Sequence, residues 1–137
     1  MAREATLLIE THLPIMFTCA DGTGIEKGSI LKLSDPMTVA LADGDTDIVA
    51  GIAAEEKIAS DGKTSIAVYT GGIFNCYIGA AGCSVGDALI TDVSTGDTNE
   101  LVSADVNSEN IFGRALETAT DGQTARVELN PFTVNLA

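Results

Sequence analysis

Asp61-Gly62-Lys63-Thr64-Ser65-Ile66-Ala67-Val68-Tyr69 and Asp121-Gly122-Gln123-Thr124-Ala125-Arg126-Val127-Glu128-Leu129 open alike, with a DG pair followed by a run of alternating apolar and polar residues. A DG pair supplies the positive φ that a tight turn needs. Alternation with a period of two turns one face of a strand to a core and the other to solvent. Two further anchors precede each stretch. Lys27-Gly28-Ser29-Ile30-Leu31 is echoed by Val85-Gly86-Asp87-Ala88-Leu89, and Ala50-Gly51-Ile52-Ala53 by Phe112-Gly113-Arg114-Ala115. The three anchors keep their order and recur at a spacing of about sixty residues, which is the mark of an internal repeat. Each half reads as a Gly turn, a strand, an excursion, a strand ending in Gly-x-Ala, a DG turn and a strand. Neither unit can bury a sheet face alone at this size. The sequence therefore predicts a mainly β fold, a small β-sandwich or barrel made of two similar halves (about 28–69 and 86–129) with pseudo-twofold character.

The rest of the chain fits that frame. Short runs rich in β-branched residues lie at 29–33, 37–41, 48–53, 64–69, 88–91, 100–102, 111–116, 125–129 and 132–136, separated by turn signals. At most one short helix fits, around 103–110. Residues 1–17 lie outside the echo and form an N-terminal arm or strand, leaving 18–137 as one β domain. Leu7, Leu8 and Ile9 make an apolar strip flanked by Arg3, Glu4 and Glu10. Such a segment either joins the domain's own sheet or adds as a strand to another chain.

Composition narrows the function. Of 137 residues 45% are hydrophobic and 4% aromatic, with no Trp, so a core of Val, Ile, Leu and Ala is expected. Twenty acidic residues against seven Lys and Arg give a net charge of −13. That sign is wrong for a nucleic-acid backbone or an anionic membrane surface. It suits solubility at high abundance. The apolar runs 7–9 and 13–17 are broken by Glu10, Thr11 and His12, which argues against a signal peptide and for synthesis in a cytoplasm. Cys19, Cys76 and Cys83 are odd in number and lack CxxC spacing, so they read as small buried hydrophobes.

Catalytic constellations are missing. His12 is the only histidine, and neither a GxSxG elbow nor zinc-ligand spacing accompanies it. Gly22-Thr23-Gly24-Ile25-Glu26-Lys27-Gly28 fails the spacing of a phosphate loop and reads as a turn. Asp43, Asp45 and Asp47 have a calcium-loop rhythm. However, Ile48 stands where the sharp-turn Gly belongs and Ala54 where the bidentate Glu belongs, so a solvated acidic loop is the simpler reading. Glu55 and Glu56 are neighbours on an extended chain and point to opposite faces. No enzyme, metal or cofactor is expected.

The runs Gly28-Ser29-Ile30-Leu31-Lys32-Leu33-Ser34-Asp35-Pro36 and Ala50-Gly51-Ile52-Ala53-Ala54-Glu55-Glu56, with Val85-Gly86-Asp87-Ala88-Leu89 and the closing Phe112-Gly113-Arg114-Ala115 to Leu129, resemble tailed-bacteriophage head decoration proteins. These capsid cement proteins are similar to the lambda head decoration protein, and the resemblance spans roughly 28–129. It implies a small, β-tulip-like, often trimeric structural protein on the exterior of the expanded virion capsid, bridging neighbouring major capsid subunits. It also implies that an arm carrying Leu7, Leu8 and Ile9 engages the capsid. If the protein trimerises, Tyr69, Phe74 and Tyr77 are candidate interface anchors. The competing reading is a virion-displayed or tail-associated β-sandwich module that recognises glycans or a host surface. The lack of Trp, with only two Tyr, weighs against a glycan platform.

Overall fold

A computed structural model of the chain describes residues 3–92, 99–104 and 110–133. Among them are eleven strands and no helix. They are β1 (Thr6–Ile9), β2 (Ile15–Thr18), β3 (Ile30–Asp35), β4 (Thr38–Leu41), β5 (Val49–Ala53), β6 (Ser65–Tyr69), β7 (Gly72–Ile78), β8 (Ala88–Thr91), β9 (Glu100–Ser103), β10 (Asn110–Ala115) and β11 (Thr124–Thr133).

The expected β fold from two similar halves is observed, and each half closes on itself. Strands β2-β4-β3-β5-β6 form a closed barrel. In the second half β7 pairs β11, β11 pairs β10, β10 pairs β8 and β8 pairs β9, all antiparallel, and a parallel β7–β9 pairing completes the ring. The first barrel has the same order and the same single parallel seam, β2–β4.

The echo extends to individual hydrogen bonds. Gly28 N–H donates to Ala53 O at 2.9 Å, as Gly86 N–H does to Ala115 O at 2.8 Å. The isolated bridge Ile25–Lys57 has its counterpart in Cys83–Ala119. Gly28 and Gly86 share a left-handed φ of 91° and 90°, which glycine adopts without strain. Gly51 and Gly113 are glycines for another reason. A Cβ on either would run into the backbone oxygen of the facing strand, Tyr69 O and Glu128 O respectively.

One detail of the sequence alignment shifts. Cys19 N–H donates to Thr64 O where Ile78 N–H donates to Gln123 O, so Ser65 is equivalent to Thr124 rather than to Ala125. The one-residue slip puts Ile66 and Val68 inward in one barrel and Ala125 and Val127 inward in the other.

Two strands fell outside the predicted set, and they are equivalent to one another. Strand β2 follows Pro14 and is short, and β7 begins at the second glycine of Gly71-Gly72, a pair that reads as a turn. The predicted runs 125–129 and 132–136 merge into β11 as far as Thr133, and the remaining positions lie outside the described residues. The helix expected at 103–110 falls mostly on positions 105–109, which are also outside them. Its flanks, Ser103 and Asn110, belong to strands.

The barrels share a core. Leu31, Val39, Ile66 and Val68 fill the first barrel with Cys19, Ile25, Ala50 and Ala53. Ile30, Ala42, Val49 and Ile52 turn the other way and pack with Phe74, Leu89, Leu101 and Phe112 of the second. Polar bonds cross the same junction. Ile30 N–H donates to Asn99 Oδ1 at 2.8 Å, with Asn99 buried and at φ 65°. Thr91 Oγ1 donates to Gly44 O and accepts from Asp47 N–H, each at 3.0 Å.

The N-terminal segment belongs to the chain's own sheet. Strand β1 pairs antiparallel with the first residues of β7, Thr6 with Asn75 and Leu7 with Phe74, on the edge that β9 takes further along. Ala5 N–H donates to Gly28 O at 2.8 Å in the first barrel. The Arg3 guanidinium pairs with the buried Glu100 carboxylate of the second and lies 4.0 Å from the centroid of the Tyr77 ring. The segment is thus a strap across both barrels.

Candidate functional site

Several ionisable side chains serve the fold. Lys57 is buried at the end of the first barrel, where its ammonium donates to Asp21 O (2.8 Å), Ile58 O (3.0 Å) and Asp61 Oδ1 (3.1 Å) and reaches Asp21 Oδ1 at 3.3 Å. Burial alone would lower its pKa, but the bonds to Asp61 and Asp21 outweigh it and hold the ammonium above the usual lysine value. Asp61 is held below the usual carboxylate range, first by the Lys63 backbone N–H and then by Lys57.

In the acidic loop Asp47 Oδ2 accepts the N–H groups of Asp43 and Gly44, both at 2.9 Å, while Asp43 pairs with Lys32 at 2.6 Å. Those carboxylates close a turn. No group of three or more potential metal ligands occurs among the described residues. Glu55 accepts the Ala67 N–H at 2.8 Å, while exposed Glu56 bonds to Glu26 and raises the Glu26 pKa. His12 is exposed and its Nδ1 lies 2.8 Å from Thr11 Oγ1. All three cysteines are buried free thiols whose pKa burial raises.

The predicted interface residues divide. Phe74 is 1% exposed and packs edge-on against the half-buried Tyr69 at 5.6 Å between ring centroids. A side chain so placed has no area to offer a second copy. Tyr77 is half-buried with Arg3 over one face. Within the arm, Leu7 packs against the second core, whereas Leu8 (47%) and Ile9 (54%) are exposed.

The exposure continues past the arm. Leu13, Ile15 and Met16 are 78%, 47% and 54% exposed, so five large apolar side chains stand open between positions 8 and 16. Leu33 and Met37 are exposed at the β3–β4 turn, and Met37 O accepts the Thr18 N–H of β2 at 2.7 Å. Scattered exposed hydrophobics are ordinary, but five within nine residues of chain on so acidic a body make this segment the candidate interaction surface. The run 13–17 is apolar too, and among the described residues β2 has no second neighbour along most of its length.

The sequence model of a phage cement protein family matches residues 9–130, nearly the whole double barrel. The chain belongs to the phage cement protein family. Membership sets it among the structural proteins associated with phage capsids. The crystal structure of the head fiber gp8.5 N base of bacteriophage phi29 superposes with a TM-score of 0.56, covering 90% of this chain and 99% of that one at 20% identity. At that identity the likeness speaks for the fold alone. No curated protein matches the chain.

Proposed function

We propose that this cement protein binds the outside of the expanded capsid and ties neighbouring major capsid subunits together, working as a homotrimer. The observation that carries the reading is the exposed apolar strip from Leu8 to Met16 on a body of net charge −13 that belongs to this family. Such a role asks for rigidity rather than chemistry. Two closed barrels with one shared core and a strap across both make a stiff body with few free edges. Neither a catalytic group nor a cofactor is needed. Many modest contacts repeated over a shell sum to a large mechanical effect, because each bound copy holds subunits that other copies also hold.

The test is to mix purified protein with expanded, undecorated heads of the parent virus, pellet them, and count bound copies against major capsid protein. Saturable binding that is absent on unexpanded heads is the expected result. Failure to bind at any ionic strength would end the capsid reading and turn attention to glycans or the tail. Sedimentation of the free protein checks the trimer.

A further inference from the structure

The equivalence of the barrels exposes one place where they differ in kind. By strand register Ile15, Met16, Phe17 and Thr18 of β2 correspond to Phe74, Asn75, Cys76 and Tyr77 of β7, since Val68 opposite Ile15 matches Val127 opposite Phe74. On β7 the edge beside Phe74 and Asn75 is covered by β1. Among the described residues no strand covers the corresponding edge of β2, because β4 meets β2 only at Thr18.

Two consequences can be seen. Phe74 is 1% exposed, whereas Ile15, which faces the same way in its own barrel, is 47% exposed. Leu33 lies on the same face of β3 as the buried Leu31 and is 40% exposed. The backbone is open as well. Thr18 N–H points away from β6, to Met37 O, and in an antiparallel ladder the residue two before it shares that direction. Met16 N–H and C=O therefore face the bare edge, where Asn75 on β7 meets Thr6 of β1.

We propose that the β2 edge at Ile15–Met16 is a docking edge that accepts one extended apolar strand of the major capsid protein, laid antiparallel as β1 lies on β7. Its apolar residue would cover Ile15 as Leu7 covers Phe74. The inference rests on the capsid reading above and says where the capsid chain seats. Charge selects this occupant over a second copy. Glu10 and Asp35 flank the strip, so at this edge a strand bordered by Lys or Arg is favoured over the same acid-flanked strand of a second copy. The protein's own β1 is already committed through Arg3–Glu100 and Ala5–Gly28. Main-chain bonds to Met16 supply affinity, and apolar contact with Ile15 supplies side-chain selection.

Two measurements on the full chain decide it. Hydrogen exchange of the peptide spanning residues 13–18 is followed in free protein and in protein saturated on expanded heads. It should slow at least about tenfold on binding. Met16→Pro removes the outward N–H, which the barrel's own ladder does not use. It should weaken head binding by about tenfold or more with an unchanged melting midpoint. Should the variant fail to fold, the exchange result on the wild-type protein decides alone.

If the wild-type protein binds heads while exchange at 13–18 is unchanged and Met16→Pro binds within about twofold, the docking edge is wrong and the cement reading stands. If that exchange is already slow in free protein and Met16→Pro releases it together with self-association, the occupant is a second copy and the proposal is overturned. If the wild-type protein does not bind heads at all, the cement reading fails and takes this inference with it.

Discussion

The two barrels have the same strand order, the same parallel seam and paired glycines at two anchors, yet they are finished by different means. The second is closed with apolar volume. Phe112 stands where the first barrel has Ala50, Phe74 where it has Ile15, and β1 covers the remaining edge. The first is closed with charge, by the Lys57 ammonium held among Asp21, Asp61 and two carbonyl oxygens, where the second barrel has Ala119. A repeat therefore fixes topology and leaves the ends of each unit free to diverge. One barrel supplies the rigid centre of the fold, and the other keeps an open edge.

The sharpest way to break this asymmetry is Phe112→Ala. Phe112 is fully buried, so its loss should cost about 3–5 kcal/mol of stability, read from the denaturant midpoint. Because Ile30, Ala42, Val49 and Ile52 pack into the same core, both barrels should unfold in one transition. A biphasic curve, with the first barrel surviving, would show that the shared core does not couple them.

The strap comes next. Arg3→Ala leaves the Glu100 carboxylate, 4% exposed, without its guanidinium partner, and breaking such a pair costs about 3 kcal/mol. Exchange should rise along β1 and the first residues of β7 and stay unchanged in β2. Uniform protection after the substitution would mean that β1 holds its place by strand pairing alone.

Lys57→Ala should act locally in the first barrel. Amide exchange at Ile25 and Lys57 should quicken while Cys83 and Ala119, the equivalent bridge, stay protected. The same latch gives a pH signature. The folded pKa of Asp61 is depressed, so its stabilising effect is present above the unfolded carboxylate value of about 3.9 and lost as pH falls through the folded value. Asp87 is depressed in the second barrel too, first by the Ser103 hydroxyl and then by the Ser84 N–H. Asp61→Asn should therefore reduce the acid-induced loosening of the first barrel, measured by exchange below about pH 4, and leave the second barrel's response as it was.

The order of these effects explains what the sequence could disclose. Gly28, Gly51, Gly86 and Gly113 are required by backbone geometry, so they survive in both halves and could be read as an echo. The bare edge could not be read, because it depends on which strand lies beside β2, and that is decided by long-range pairing. Phe74 reads from sequence as a candidate interface anchor, an apolar residue on a strand face that a trimer could use. Register turns it inward, with Cys76 and Ile78 on the same face of β7. Leu7, Leu8 and Ile9 read as an apolar strip and the run 13–17 is apolar too, but that Leu13, Ile15 and Met16 stay exposed shows only once β1 is seen to leave the second barrel and β2 to enter the first.

The smallest effect is also the most telling. Ile15 and Phe74 are equivalent by register and differ in whether a neighbouring strand covers them. Phe74→Ala should cost about 3–5 kcal/mol. Ile15→Ser, on a side chain already 47% exposed, should cost under about 0.5 kcal/mol in the free protein. A side chain that faces a barrel interior yet contributes so little to its own fold has a poor structural reason to be isoleucine. If Ile15→Ser instead destabilises the free protein as much as Phe74→Ala does, the edge is closed in solution and the barrels are finished alike after all. If it is silent in the free protein and weakens binding to expanded heads, the missing part of the first barrel is supplied by the capsid.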